Sequence, residues 1–164
     1  MLVLDCSATM PWVLEDEEST ESDAALNRLQ TEGAFVPRVW PLEVRNALLV
    51  AVRRGRLARQ QSERFVAGLE DLPITADDAV RGVFRAAQPL AGLHGVSSYD
   101  AAYLELARRK TAPLATIDAG LARTARAAGG RPGPRGQSPP SPPRMSPRKP
   151  PFFFLDLASW PLDT

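Results

Sequence analysis

Four apolar runs, each too short to be a helix, punctuate the chain: Leu2–Leu4, Gly33–Pro37, Leu72–Thr75 and Ala112–Ile117. Between them lie stretches with helical periodicity. Residues Glu21–Thr31 place Ala25, Leu26 and Leu29 on one side, and further amphipathic helices are expected at Ala58–Leu69, about Asp77–Gln88, from Tyr99 onward, and at Ala119–Ala128. The segment from Pro41 to Gly55 carries its own boundaries, with proline suited to the first turn and Arg53, Arg54 and Gly55 at the close. Brief strands joined by helix-length connections cannot pair as hairpins. They predict an α/β fold with a short parallel sheet and helices on both faces.

The chain has 164 residues, enough for one domain with a substantial core. Its net charge of +1 provides no whole-molecule field to attract nucleic acid. That total conceals an uneven distribution, because residues 131–150 hold Arg131, Arg135, Arg144, Arg148 and Lys149 and no acid. The domain is expected to span 1–129. Residues 130–151 contain nine of the 16 prolines and read as a Pro/Arg-rich disordered linker, and residues 152–164 form an apolar terminal segment that either returns as a further strand at Phe152–Leu157 or binds a partner. The run Met1–Leu4 is broken by Asp5, so no signal-peptide pattern is present, and no stretch is apolar enough for a membrane span. A cytoplasmic protein with no membrane partner is expected. One cysteine (Cys6) excludes an internal disulfide or a multi-cysteine zinc site, and one histidine (His94) excludes a histidine-rich metal site. Carboxylates are left as the working groups.

Four acids fall where such work would be done. In an open parallel sheet, ligands bind beyond the carboxyl ends of the strands. Asp5 follows the first strand and Asp118 follows the last, while Glu43 and Asp100 lie in the first turns of their helices. Tyr103, Leu104 and Ala107 follow Asp100 at helical spacing, which puts its carboxylate on the face that should be buried. Three of the acids also have a structural reading. Ser97-x-x-Asp100 is a capping-box pattern, Asp118 can cap its helix, and Glu43 can answer the positive end of its own. Asp5 has no such role if Ser7 is the cap. Two carboxylates ~4 Å apart repel by roughly 4 kcal/mol at an effective dielectric near 20. Converging acids therefore call for a cation, and all-oxygen donors suit Mg²⁺ or Mn²⁺ better than zinc.

The blocks LVLDCSATMPWVL, VPRVWPLEVRNALLVAVRRGRL, SSYDAAYLELARRKTAPLATID and GLARTARAAG resemble, in order and spacing, the PIN-domain ribonucleases, most closely the VapC-type toxins of bacterial toxin–antitoxin pairs. The resemblance covers about residues 1–129. It implies a three-layer α/β/α fold and metal-dependent cleavage of RNA phosphodiester bonds by Mg²⁺ or Mn²⁺. The family's acidic quartet maps onto Asp5, Glu43, Asp100 and Asp118, with Ser7 and Thr116 as supporting polar residues. An RNA substrate, a cognate antitoxin and a homodimer are the implied partners. The alternatives are a catalytically impaired PIN-like binding module with an aberrant tail, and a phosphatase or DNA nuclease using the same metal chemistry.

Other residues read more plainly. Arg53, Arg54, Arg56 and Arg59 form a solvated basic turn or, on the sharper reading, a phosphate contact. Trp12 and Trp40 are core or interface aromatics, Cys6 is a packed small residue, and His94 is a loop residue before a helix. The face of Leu26, Leu29, Leu48 and Val52 packs internally or meets another subunit.

Overall fold

A computed structural model describes residues 1–79, 81 and 83–128. The proposed linker 130–151 and terminal segment 152–164 lie outside the described residues.

The first strand, β1 (Leu2–Leu4), runs directly into the short helix α1 (Cys6–Thr9) and a 3₁₀ turn at Met10–Trp12. Helix α2 (Thr20–Glu32) follows, then β2 (Ala34–Pro37), α3 (Trp40–Arg53), α4 (Arg59–Glu70) and β3 (Ile74–Asp77). A π turn at Val83–Ala87 leads into α5 (Gln88–His94), and α6 (Ser98–Lys110), β4 (Leu114–Ala115) and α7 (Ala119–Ala127) complete the domain. The strands pair in parallel in the order β3-β2-β1-β4. Val3 lies opposite Phe35 on one side and Leu114 on the other.

Successive side chains of a strand point to opposite faces, yet Leu2, Val3 and Leu4 are all fully buried. Both faces of β1 are therefore covered, and the three-layer α/β/α architecture holds. Helix α6 packs on β1, β2 and β4, and α2 on β1 and β4. The outer strand β3 is only partly buried, with Thr75 and Ala76 exposed, as suits an edge strand. Leu26, Leu29 and Leu48 are buried, so the apolar face of α2 and α3 packs internally. Trp40 is also a core residue, and Trp12 donates its indole N–H to the Ser22 carbonyl at 3.0 Å.

Several local expectations are corrected. Strand β3 lies two residues later than the Leu72–Thr75 run, because Pro73 has no N–H and pairing with β2 starts at Ile74. Asp77 ends that strand and does not open a helix. The helix expected to stop near Gln88 restarts there, with Pro89 in its first turn, and continues to His94. His94 is thus the last helical residue, followed by Gly95 in the left-handed conformation at φ 64°. Gly33 plays a comparable part between α2 and β2. Its φ is 74°, and a Cβ there would sit 3.0 Å from the Pro73 carbonyl oxygen.

Candidate active site

The connectivity locates the site before any side chain is considered. From β1 the chain builds outward through β2 and β3, then crosses to the other side of β1 as β4. The direction of winding reverses between β1 and β4, and the crevice beyond their carboxyl ends is where such sheets bind ligands. Asp5 and Thr116 are the residues that emerge there, and the Asp5 amide donates to the Ala115 carbonyl at 3.0 Å.

Asp5 occupies the capping position of α1 in extended conformation, and its side chain caps nothing. The expectation that Ser7 caps this helix is corrected, because α1 starts immediately after β1 and Ser7 is already inside it. Instead the Ser7 hydroxyl donates to Asp5 Oδ2 at 2.5 Å, and the Thr116 hydroxyl donates to the same oxygen at 2.7 Å. Each hydroxyl has one proton, so with both aimed at Asp5 the 3.1 Å between Ser7 Oγ and Thr116 Oγ1 is the consequence of a shared acceptor. The lone pairs left on these oxygens accept the Ile117 and Asp118 amides at 3.2 and 3.1 Å. Asp5 is only 6% exposed. Burial pushes its carboxyl above the usual range, and the Ser7 and Thr116 hydroxyls pull it back without cancelling the effect.

Glu43 is half-buried in the first turn of α3. Its Oε2 accepts the Tyr103 phenol at 2.5 Å. Partial burial raises its carboxyl, the Tyr103 bond opposes this, and the charges of Asp5 and Asp100 raise it further. Glu43 is therefore within electrostatic reach of both other acids. Tyr103 is buried, and burial followed by the Glu43 bond pushes its phenol upward, so it remains the donor.

Asp100 opens α6 in a reciprocal capping box. Its amide donates to Ser97 Oγ at 3.0 Å, while its Oδ2 accepts the Ser97 hydroxyl at 2.8 Å and amide at 3.3 Å. Asp118 caps α7, accepting the Leu121 amide on Oδ1 at 2.7 Å, and its side chain is exposed. The structure thus brings Glu43 within electrostatic range of both Asp5 and Asp100 and sets Asp118 at the rim, joined to Thr116 through its backbone. Among the described residues, no three His, Cys, Asp or Glu side chains converge tightly enough to grip one ion in this conformation.

The donors near this crevice are oxygens of a kind that suits a hard divalent cation. Cys6 is no thiolate nucleophile as it stands, because burial and then the Asp5 and Glu43 charges push its thiol up to about 12. Tyr103 is the residue that sequence reasoning left in the core. The signal for it was its position three residues after Asp100, on the same helical face. A separate cavity of about 200 Å³ beyond β2 and β3, lined by Pro37, Val39, Ala102 and Leu106, contains none of the four acids. In the basic turn, Arg56 is paired with Asp16 and Glu17, and among the described residues Arg53, Arg54 and Arg59 form no ion pair.

The PIN domain profile matches residues 2–127. The chain belongs to the PIN-domain family. It is 31% identical over 122 residues to Ribonuclease VapC3 of Pyrobaculum aerophilum, covering 74% of this chain and 92% of that protein, so the likeness is to the VapC type. The crystal structure of PAE2754 from Pyrobaculum aerophilum superposes with a TM-score of 0.56 at 22% identity, over 75% of this chain and 78% of that one, and shares the fold.

Proposed function

We propose that this protein is a VapC-type endoribonuclease, the toxin of a toxin–antitoxin pair, which cleaves RNA with Mg²⁺ or Mn²⁺ held by Asp5, Glu43 and Asp100. The observation that carries the proposal is Asp5, a carboxylate buried at the sheet's switch point with two hydroxyls on one oxygen and with Glu43, itself in range of Asp100, beside it. A domain pays for burying charges this way when the charges serve a ligand. Asp118 acts from the rim, directly or through water, or serves a second ion.

The bound ion would polarise the phosphodiester and supply hydroxide near neutral pH. The chain's own residues do the rest. The Ser7 and Thr116 hydroxyls favour the ionised form of Asp5 against the larger effect of its burial, and Tyr103 does the same for Glu43. The Ser97 cap holds Asp100 at the first turn of α6. Arg53, Arg54 and Arg59 are available to RNA phosphates, whereas Arg56 is already matched by acids. A cognate antitoxin that covers the acids with a basic side chain, and a homodimeric toxin, complete the proposed assembly.

Induced expression in a bacterial host tests the activity, comparing wild type with Asp100→Asn at matched soluble levels. Arrest by wild type alone, with cleaved RNA in the arrested cells, is the expected result. Equal growth with both proteins soluble, together with intact RNA in a tube containing Mg²⁺ or Mn²⁺, would overturn the proposal.

A further inference from the structure

We propose that Tyr103 is a positioning residue for Glu43, its buried hydroxyl occupying Oε2 so that Oε1 is the oxygen left for the cation. This rests on the metal-dependent reading above and specifies how the second acid is presented.

The side chain is 1% exposed, and a phenylalanine ring would fill the same space without burying a hydroxyl. A buried hydroxyl costs stability unless it finds a partner, and here the partner is a carboxylate on another helix. Tyr103 stands three residues after Asp100, so one face of α6 delivers both an acid and the group that fixes the neighbouring acid. Glu43 needs that restraint. Its side chain has three rotatable bonds, it is half-exposed, and Asp5 and Asp100 both repel it. Released, it would turn towards water and away from the other two. Oε1 accepts no hydrogen bond from the described residues, as the Tyr103 bond ends on Oε2. The inner acids follow one rule, since Asp5 is also restrained by hydroxyl donors on a single oxygen.

The experiment is Mn²⁺ binding to the RNA-free, full-length protein by titration calorimetry, in wild type, Tyr103→Phe, Glu43→Gln and the double variant. Loss of a group that orients a metal ligand typically costs 10–100-fold in affinity, so Tyr103→Phe is expected to bind Mn²⁺ about tenfold more weakly. The loss should vanish when Glu43 is already glutamine. A general packing role would give the same loss in both backgrounds, and that result, or wild-type affinity in Tyr103→Phe, would overturn the proposal. Asp5→Asn separates the two levels: if it binds Mn²⁺ as wild type does, the metal reading fails and Tyr103 with it.

A second measurement does not require the phenylalanine variant to fold. The chain has two tyrosines, Tyr99 and Tyr103, so fluorotyrosine labelling gives two ¹⁹F signals that Tyr99→Phe assigns. Mg²⁺ should shift the Tyr103 signal saturably in wild type and not in Glu43→Gln. Saturable Mn²⁺ binding with an unmoved Tyr103 signal would also overturn the proposal.

Discussion

Thr116→Val tests whether the Asp5 charge is what the site is built around. Valine matches threonine in shape, so the substitution removes the hydroxyl and little else. Two bonds are lost: the one donated to Asp5 Oδ2 at 2.7 Å and the one accepted from the Asp118 amide at 3.1 Å. The second costs little, because Asp118 is exposed and water can replace the hydroxyl. The first is a bond to a buried carboxylate, and hydrogen bonds to charged groups contribute about 1.5–3 kcal/mol. The expected loss near neutral pH is therefore about 2 kcal/mol, and with a urea m-value of about 2 kcal/mol/M the unfolding midpoint falls by about 1 M.

The pH dependence makes the test specific. Asp5 has its carboxyl raised above its ordinary 3.8, with burial as the largest cause. Native protein thus holds this proton more firmly than unfolded chain, and the stability from Asp5 is complete below 3.8 and lost as pH rises through the native value. Removing the Thr116 hydroxyl raises the native value again, so the variant's deficit should widen with pH. It should be about 1 kcal/mol in acid, where the bond is neutral, and about 2 near pH 7. In an Asp5→Asn background the deficit should stay near the acid value at every pH. Urea unfolding across the pH range, with both pairs of proteins, measures this. An equal deficit at acid and neutral pH, or in both backgrounds, would refute the reasoning.

Three further outcomes are expected. Asp5→Asn should abolish cleavage yet unfold at the same or a higher temperature than wild type at neutral pH, because it removes a charge whose burial is unfavourable; a lower melting temperature by scanning fluorimetry contradicts this. Gly33→Ala should destabilise by more than about 1 kcal/mol in urea, since it forces a side chain into φ 74° with its Cβ 3.0 Å from the Pro73 oxygen; wild-type stability would mean the loop relaxes freely. In RNA-binding titrations against salt, substituting Arg53, Arg54 or Arg59 with alanine should each reduce the slope by about one, and Arg56→Ala by less, because acids already neutralise Arg56; equal slopes for all four would remove the basic turn from the RNA path.

The elements that were legible in the sequence are those set by local rules. Leu2–Leu4 is apolar on both faces, Trp40–Arg53 has proline at its start and arginine at its end, and the Ser97–Asp100 box lies within four residues. The misplaced elements depend on partners elsewhere in the chain. Pairing with β2 decides the register of β3, and Asp77, which local pattern places in a helix, closes that strand and is held by Arg109 at 2.6 Å. Serine after a short strand commonly caps the helix that follows, which makes Ser7 a natural candidate. Its hydroxyl goes instead to Asp5 and the loop after β4, a contact across 110 residues of chain that no local pattern contains.

At Asp100 a capping role leaves room for a second one. A carboxylate has two oxygens, and capping uses only one of them: Oδ2 accepts both Ser97 bonds, while Oδ1 accepts none from the described residues. Asp118 divides its oxygens in the same way, with Oδ1 on the Leu121 amide. A cap also fixes the side chain's torsions, which is the preparation a ligand needs before it meets an ion. Capping therefore favours the second use of the same residue. On the metal-dependent reading proposed above, the Ser-x-x-Asp pattern is also what would aim Asp100 at the ion.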